Sequence, residues 1–158
     1  MTYHLAQINA APMLAPLDSP QLRDFVDGLV RINHLAEQSP GFVWRLVGDG
    51  GDATDIRLTD DADLLINMSV WENMDVLYAF TYNTEHVEFF RRRREWFAKW
   101  ERPSPVMWWI PEGELPTLQD ARERIDHMEQ HGPTPFAFNF KKRFSVSEML
   151  EYTAKQST

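Results

Sequence analysis

His86 is the side chain best suited to proton chemistry in this chain. Read as one helix, positions 86, 89, 90, 93, 97 and 100 put His86, Phe89, Phe90, Arg93, Phe97 and Trp100 on a common face. An imidazole set among aromatic rings can act as acid, base or ligand. The competing reading is that His86 caps the break expected at Asn83-Thr84. Arg91 to Arg94 are four consecutive arginines. At about 100° per residue they cannot all face one partner. Arg93 joins the His86 face, while Arg91, Arg92 and Arg94 point elsewhere. In the functional reading Arg93 meets an anionic substrate group or a buried carboxylate; in the competing and favoured one the run is a solvated face whose arginines pair with Glu88, Glu95 or a partner chain.

A second group of candidates sits on strands. Asn67, Ser69 and Trp71 alternate onto one face of the run Leu64–Trp71, and Asn9 is a further polar residue on the first strand. Polar groups inside an apolar strand need partners, so these residues predict a cavity that Asn9 shares; Gln7 is a similar case. Trp44, Trp71, Trp108 and Trp109 also fall on strands, where core packing competes with a role as pocket walls for a flat apolar ligand. Adjacent Trp108 and Trp109 must point to opposite faces of a sheet. His127 and His131 have a spacing that can hold a metal, but no glutamate follows His127 and no third ligand is evident, so no metal site is expected. The aspartates between Asp49 and Asp63 lack the spacing of a calcium loop.

The composition narrows the class. The chain has 158 residues, 43% hydrophobic and 25% charged, which suits a globular domain and not a disordered one. Sixteen basic residues against 24 acidic ones give a net charge of -8, which argues against a nucleic-acid partner. No apolar run is long enough to span a bilayer, and the first residues do not read as a signal peptide. Cysteine is absent, so disulfides, thiolate zinc sites and cysteine nucleophiles are excluded. A cytoplasmic location follows as the expectation. Six tryptophans and ten phenylalanines exceed what closing a core requires, which points to an aromatic-lined cavity, an interface, or both. No phosphate-binding glycine loop, dinucleotide fingerprint or nucleophile elbow is present.

The elements that must position these residues follow from periodicity. Tyr3–Ala11 alternates as a strand. Ser19 and Pro20 start a helix that runs to about Gln38 and stops at Ser39-Pro40-Gly41. Phe42–Val47 and Leu64–Trp71 are strands joined by a loop from Gly48 to Asp63. A helix covers Met74–Tyr82, and a longer one runs from the Asn83-Thr84 break to about Trp100. Val106–Ile110 is a strand, and Thr117 with Asp120 caps a helix that ends at Gly132-Pro133. Phe136–Phe140 alternates as a last short strand, and residues 145–158 form a short helical or frayed tail after a domain spanning 1–144. The first six elements are the ferredoxin-like split βαβ order, an α+β fold with an antiparallel sheet and helices on one face. The other face then needs a cover, and a second subunit is the simplest one.

The segment Asn67-Met-Ser-Val-Trp-Glu-Asn-Met-Asp-Val-Leu-Tyr-Ala-Phe80 with Thr84-Glu-His86 resembles the dimeric α+β barrel superfamily, to which antibiotic-biosynthesis and haem-degrading monooxygenases belong. Further matches are His4-Leu-Ala-Gln-Ile-Asn9, Ser39-Pro-Gly-Phe-Val-Trp-Arg45, Asp52-Ala-Thr-Asp-Ile-Arg57, Arg91-Arg-Arg-Arg-Glu-Trp-Phe97, Met107-Trp-Trp-Ile-Pro111 and His131-Gly-Pro-Thr-Pro-Phe136. Together they resemble one bacterial family of unknown function within it, over roughly residues 3 to 140. The resemblance implies a homodimeric α/β barrel with a small-molecule pocket between sheet and helices. Relative to the haem-degrading members, Asn9 and Phe80 fall at the positions of their asparagine and aromatic residue. Phe90 stands where their iron ligand would be, so no cofactor is expected; haem held by His86 is the cofactor alternative. The histidine that many cofactor-independent members carry near Phe80 is also absent.

Two functions follow as expectations. In the first, the protein is a monooxygenase-like enzyme on a small apolar or aromatic molecule. His86 and Arg93 are then the catalytic pair, and Asn9, Trp44, Asn67, Trp71, Phe80, Phe90 and Trp108 bind the substrate. In the second, it only binds and sequesters such a molecule.

Overall fold

The computed structural model describes residues 1–48 and 51–157. Asp49 and Gly50 of the aspartate-rich loop and Thr158 of the tail lie outside the described residues. Four strands make one antiparallel sheet: β1 (Tyr3–Pro12), β2 (Phe42–Arg45), β3 (Leu64–Trp71) and β4 (Val106–Pro111), in the order β2-β3-β1-β4. The two longest strands, β1 and β3, are therefore the inner ones. Their register sets Leu5 opposite Trp71, Gln7 opposite Ser69 and Asn9 opposite Asn67.

Among the described residues, six α-helices accompany the sheet. They are α1 (Arg23–Gln38), α2 (Met74–Asn83), α3 (His86–Arg91), α4 (Arg93–Trp96), α5 (Leu118–His131) and α6 (Val146–Gln156). Pro20–Leu22 form a 3-10 turn ahead of α1, so Ser19 precedes that turn and does not cap the α-helix; its hydroxyl donates to the Pro16 carbonyl. The predicted cap of α5 is present in full: Thr117 Oγ1 accepts from the Asp120 amide, and the Asp120 carboxylate accepts from the Thr117 amide. Ser145 and Glu148 make the same reciprocal pair at the start of α6, so the tail begins as a properly capped helix.

The apolar residues divide by strand parity. Leu5, Trp71 and Met107 pack with Ile32 and Ala36 of α1 and with Met74, Leu77 and Phe80 of α2. Ala6, Ile8, Ile66, Met68, Val70, Val106 and Trp108 point the other way and pack with Ala121, Ile125 and Met128 of α5 and with Leu58. The sheet is thus covered on both faces by its own chain.

Three expectations are corrected here. Helices on one face only, with a partner needed for the other, does not hold, because α5 and the Leu58 segment occupy the second face. Trp108 meets α5 there, not a second subunit. The long helix to Trp100 does not form either. Arg92, at φ -88° and ψ 2°, separates α3 from α4, and Phe97 is extended. The chain is drawn instead onto the end of β1, where Met13 pairs with Phe97, the Leu14 amide donates to Trp96 O and the Ala98 amide to Pro12 O. Main-chain pairing to a strand end outweighs about one further turn of helix. Finally, Phe136–Phe140 is no strand. Phe138 exchanges two backbone hydrogen bonds with Met107, at 2.8 and 2.9 Å, while Thr134 and Ala137 pair with each other in a tight turn. That turn consumes the backbone groups a longer ladder needs.

Candidate functional site: a polar floor on the inner strands

On the face covered by α1 and α2, the inner strands carry a row of polar side chains. Gln7 and Ser69 are each only 6% exposed, whereas Asn9 and Asn67, one step along the same strands, are exposed. Inner strands of a sheet covered on both faces are normally buried throughout. Exposure of two facing asparagines there marks a window in the helical layer.

The floor is wired by hydrogen bonds. Gln7 Nε2 donates to Asn67 Oδ1 at 2.8 Å and to Ser69 Oγ at 2.7 Å. Trp71 Nε1 donates to the same Ser69 Oγ at 2.8 Å. An indole nitrogen can only donate, so Ser69 is fixed as an acceptor in that bond. Asn9 Oδ1 accepts from Ser104 Oγ at 2.9 Å, and Ser104 Oγ in turn accepts from the Ala10 amide. Cross-strand pairing places each partner, and the period of two brings all four polar side chains to one face.

Trp71 links this floor to the helices. Its ring stacks on Phe80 at 5.0 Å with 29° between planes, and Phe80 meets the His86 ring at 5.0 Å. Asn73 caps α2, its Oδ1 accepting from the Val76 amide, so Phe80 is delivered two turns in, over Trp71. His86 opens α3 after the break at Thr84, whose hydroxyl donates to Phe80 O and accepts from the His86 amide. His86 Nδ1 lies 3.1 Å from Thr81 O. A carbonyl oxygen only accepts, so Nδ1 carries the hydrogen and Nε2 keeps its lone pair. Burial pushes the His86 imidazole below its ordinary pKa, partly opposed by that carbonyl. The neutral form with a basic Nε2 is the one this site favours. His86 joins the set through Phe80, not through the polar floor.

The nine candidate residues therefore divide into three groups. Asn9, Asn67, Trp71, Phe80 and His86 are brought into one connected run, with Gln7 and Ser69 as the joints. Phe90 and Arg93 lie elsewhere: the Arg93 guanidinium sits 4.0 Å from the centre of the Phe90 ring and donates to Phe90 O at 2.7 Å, and Phe90 meets Tyr82 edge-on. The break at Arg92 is what removes Arg93 from the His86 face. Trp44 and Trp108 belong to the opposite face of the sheet. There Arg124 stacks on Phe136 at 3.7 Å and donates to Phe136 O, and burial lowers its guanidinium to about 10.

Phe90, at the position where the resemblance would put the iron ligand, has no donor atom, and the His86 ring is packed against Phe80. Two surface grooves, of about 420 and 330 Å³, are lined by neither His86 nor the floor residues. His127 and His131 face each other at 4.5 Å, with His127 Nε2 3.0 Å from Thr134 Oγ1. Among the described residues no group of three or more His, Asp or Glu is arranged to hold a metal ion, and no helix is long and apolar enough to cross a membrane.

Ser104 and Thr81 were invisible as site residues in the sequence. Both act through hydrogen bonds made in three dimensions, and neither sits in a periodic pattern that could have flagged it.

No curated protein matches the chain. Two solved structures are similar to it. The NE2512 protein of unknown function from Nitrosomonas europaea aligns at a TM-score of 0.49 with 12% identity, over 73% of this chain and 97% of that one. PA3566 from Pseudomonas aeruginosa aligns at 0.46 with 16% identity, over 70% and 94%. Neither likeness bears on activity. The model of a domain of unknown function, DUF3291, matches residues 4–154. The match spans nearly the whole chain, floor residues and capped tail included, and the protein belongs to the DUF3291 family.

Proposed function

We propose that this protein binds a small molecule in the window above Asn9 and Asn67, with Trp71 and Phe80 as the aromatic wall behind the polar floor. The observation that carries this reading is the exposure of two facing asparagines on inner strands, where every other residue of β3 is buried and Asn9 lies between buried Ile8 and Ala10 of β1. A row of satisfied but reachable polar groups beside stacked rings suits a ligand with one polar end and one flat apolar end. The strand order supports a ferredoxin-like classification and, through it, the dimeric α+β barrel resemblance. The sheet face that the superfamily uses for dimerisation is here covered by α5, which argues against that face as a homodimer interface of this chain.

The test is native mass spectrometry of the protein purified from its own cells. A stoichiometric extra mass on the wild type that is missing from Asn67→Trp, which fills the window from an exposed position, supports the reading. Equal extra mass on both, or none on the wild type, overturns it.

A second reading, a monooxygenase-like enzyme, is favoured by one observation: His86 Nδ1 is anchored on Thr81 O and burial disfavours the charged imidazole, which leaves Nε2 as a base. Under it, a ligand captured as above is turned over by the wild type, His86→Ala lowers turnover at least 100-fold, and affinity stays within about twofold. Turnover within twofold of wild type in His86→Ala leaves binding alone.

A further inference from the structure

The unengaged groups around the window are almost all donors, and one of them belongs to a partly buried cation that sequence periodicity does not single out. Arg45 ends β2 directly opposite Ser69, and antiparallel register puts its side chain on the same face as Gln7, Asn67 and Ser69. That side chain is only 16% exposed. Its Nη2 donates to Gly51 O at 3.1 Å and lies 3.6 Å from Glu37 Oε1, while Nε is buried and has no partner among the described residues. A buried N–H without an acceptor is costly unless something supplies one.

The floor itself has the same bias. Asn9 and Asn67 both use their amide oxygens, accepting from Ser104 and Gln7, and among the described residues nothing accepts from their Nδ2 groups. Ser69 Oγ accepts twice, which leaves its own hydrogen to donate. Against these donors stands one free amide oxygen, Gln7 Oε1, and no strand residue of the floor is a carboxylate. The other arginines of interest lie away from the floor: Arg93 is held by Phe90, and Arg124, whose Nε is likewise buried without a partner among the described residues, is stacked on Phe136 on the other sheet face.

We infer that the ligand of the window is an anion, a small aromatic or apolar carboxylate, and that Arg45 reads its charge while Asn9 and Asn67 hold its oxygens. This rests on the binding reading above and adds the substrate class. Guanidinium and carboxylate match in geometry, and a protein of net charge -8 needs such a local cation to admit an anion at all. Glu37, half exposed beside Arg45, is the carboxylate the ligand would displace or share with.

The experiment is calorimetric titration with two probes of equal shape, benzoate and benzamide. The wild type is expected to bind benzoate at least tenfold more tightly than benzamide. Arg45→Gln should lose that preference while keeping benzamide affinity within twofold, and Arg45→Lys, which keeps the charge but not the fork or Nε, should fall between. Equal affinities in the wild type overturn the anion inference and leave the window reading standing. A preference that survives intact in Arg45→Gln, shown folded by circular dichroism, assigns the charge to another group and overturns Arg45's role. If Arg45→Gln does not fold, Arg45→Lys decides the same point. Binding of neither probe by the wild type overturns the window reading, and the inference with it.

Discussion

At the scale of single residues, the polarity of the site is set by atoms that have only one option. Trp71 Nε1 can only donate and Thr81 O can only accept, so Ser69 is an acceptor and His86 carries its hydrogen on Nδ1. Removing the indole donor strips a buried hydroxyl of one of its two partners. Trp71→Phe is therefore expected to cost about 1–3 kcal/mol in urea denaturation, whereas Asn67→Ala, at the exposed end of the same network, should stay within about 1 kcal/mol. His86 also makes stability pH-dependent. Its folded pKa lies below the 6.5 of the unfolded chain, so between the two values the unfolded state holds the extra proton. Its contribution is complete above pH 6.5 and is lost as pH falls through 6.5 towards the folded value. His127 is lowered as well, chiefly by burial and then by His131 and Arg124, and adds a second loss in the same window. The urea midpoint should drop between pH 7.5 and 5.5 in the wild type and drop less in His86→Gln. Equal drops in the two proteins would contradict this assignment.

At the scale of elements, the approach of α3 to α1 depends on a glycine. A Cβ on Gly28 would stand 2.0 Å from Phe89 Cζ, and the Phe89 ring is held by Trp96 at 5.5 Å. Gly28→Ala must push that ring out of its packing, at an expected cost of about 1–3 kcal/mol by thermal or urea unfolding. Helix propensity alone would favour alanine by about 1 kcal/mol, so the sign of the change tests the close approach directly. The short helices α3 and α4 illustrate the same principle. Neither is long enough to be stable by itself, and both are positioned by what they touch: Phe89 on α1, Trp96 under Phe25, and the backbone of β1.

At the scale of the whole molecule, two cores share one sheet. The core under α1 and α2 is interrupted by the polar row, whereas the core under α5 is continuous and apolar, with Trp108 and Ile125 each 1% exposed. The groups proposed to bind a ligand sit on the first core only. Ile125→Ala should cost about 2–5 kcal/mol while leaving ligand affinity unchanged per folded molecule. Val30→Ala, at a position 76% exposed on the outside of α1, should stay within about 0.5 kcal/mol. The surface ion pairs add little to this balance; Arg92 with Asp24 and Glu95, and Arg102 with Asp126 and Glu129, are solvent-exposed clusters.

Local rules were enough for most elements. β3 begins at Leu64 and ends at Trp71 as its apolar run does, α5 starts at the Thr117–Asp120 capping box and ends at Gly132 with φ 74°, and Asn67 and Ser69 share a face because strand side chains alternate. Those are properties of neighbours in the chain, and they were legible without a structure. Where distant backbone competed, local reading failed: the helix expected to reach Trp100 yielded to pairing with β1, and the Phe136–Phe140 strand yielded to a turn and a single bridge. The site divides along the same line. Asn9, Asn67 and Trp71 could be nominated from alternation, His86 from a helical face that the break at Arg92 interrupts, and Phe80 from the family resemblance. Arg45 and Ser104 had no local mark, because cross-strand register and a contact 95 residues apart put them there. Periodicity thus determined which face each side chain takes. Only the tertiary structure decided which faces meet, because that depends on long-range main-chain pairing and on α5 closing the second side of the sheet.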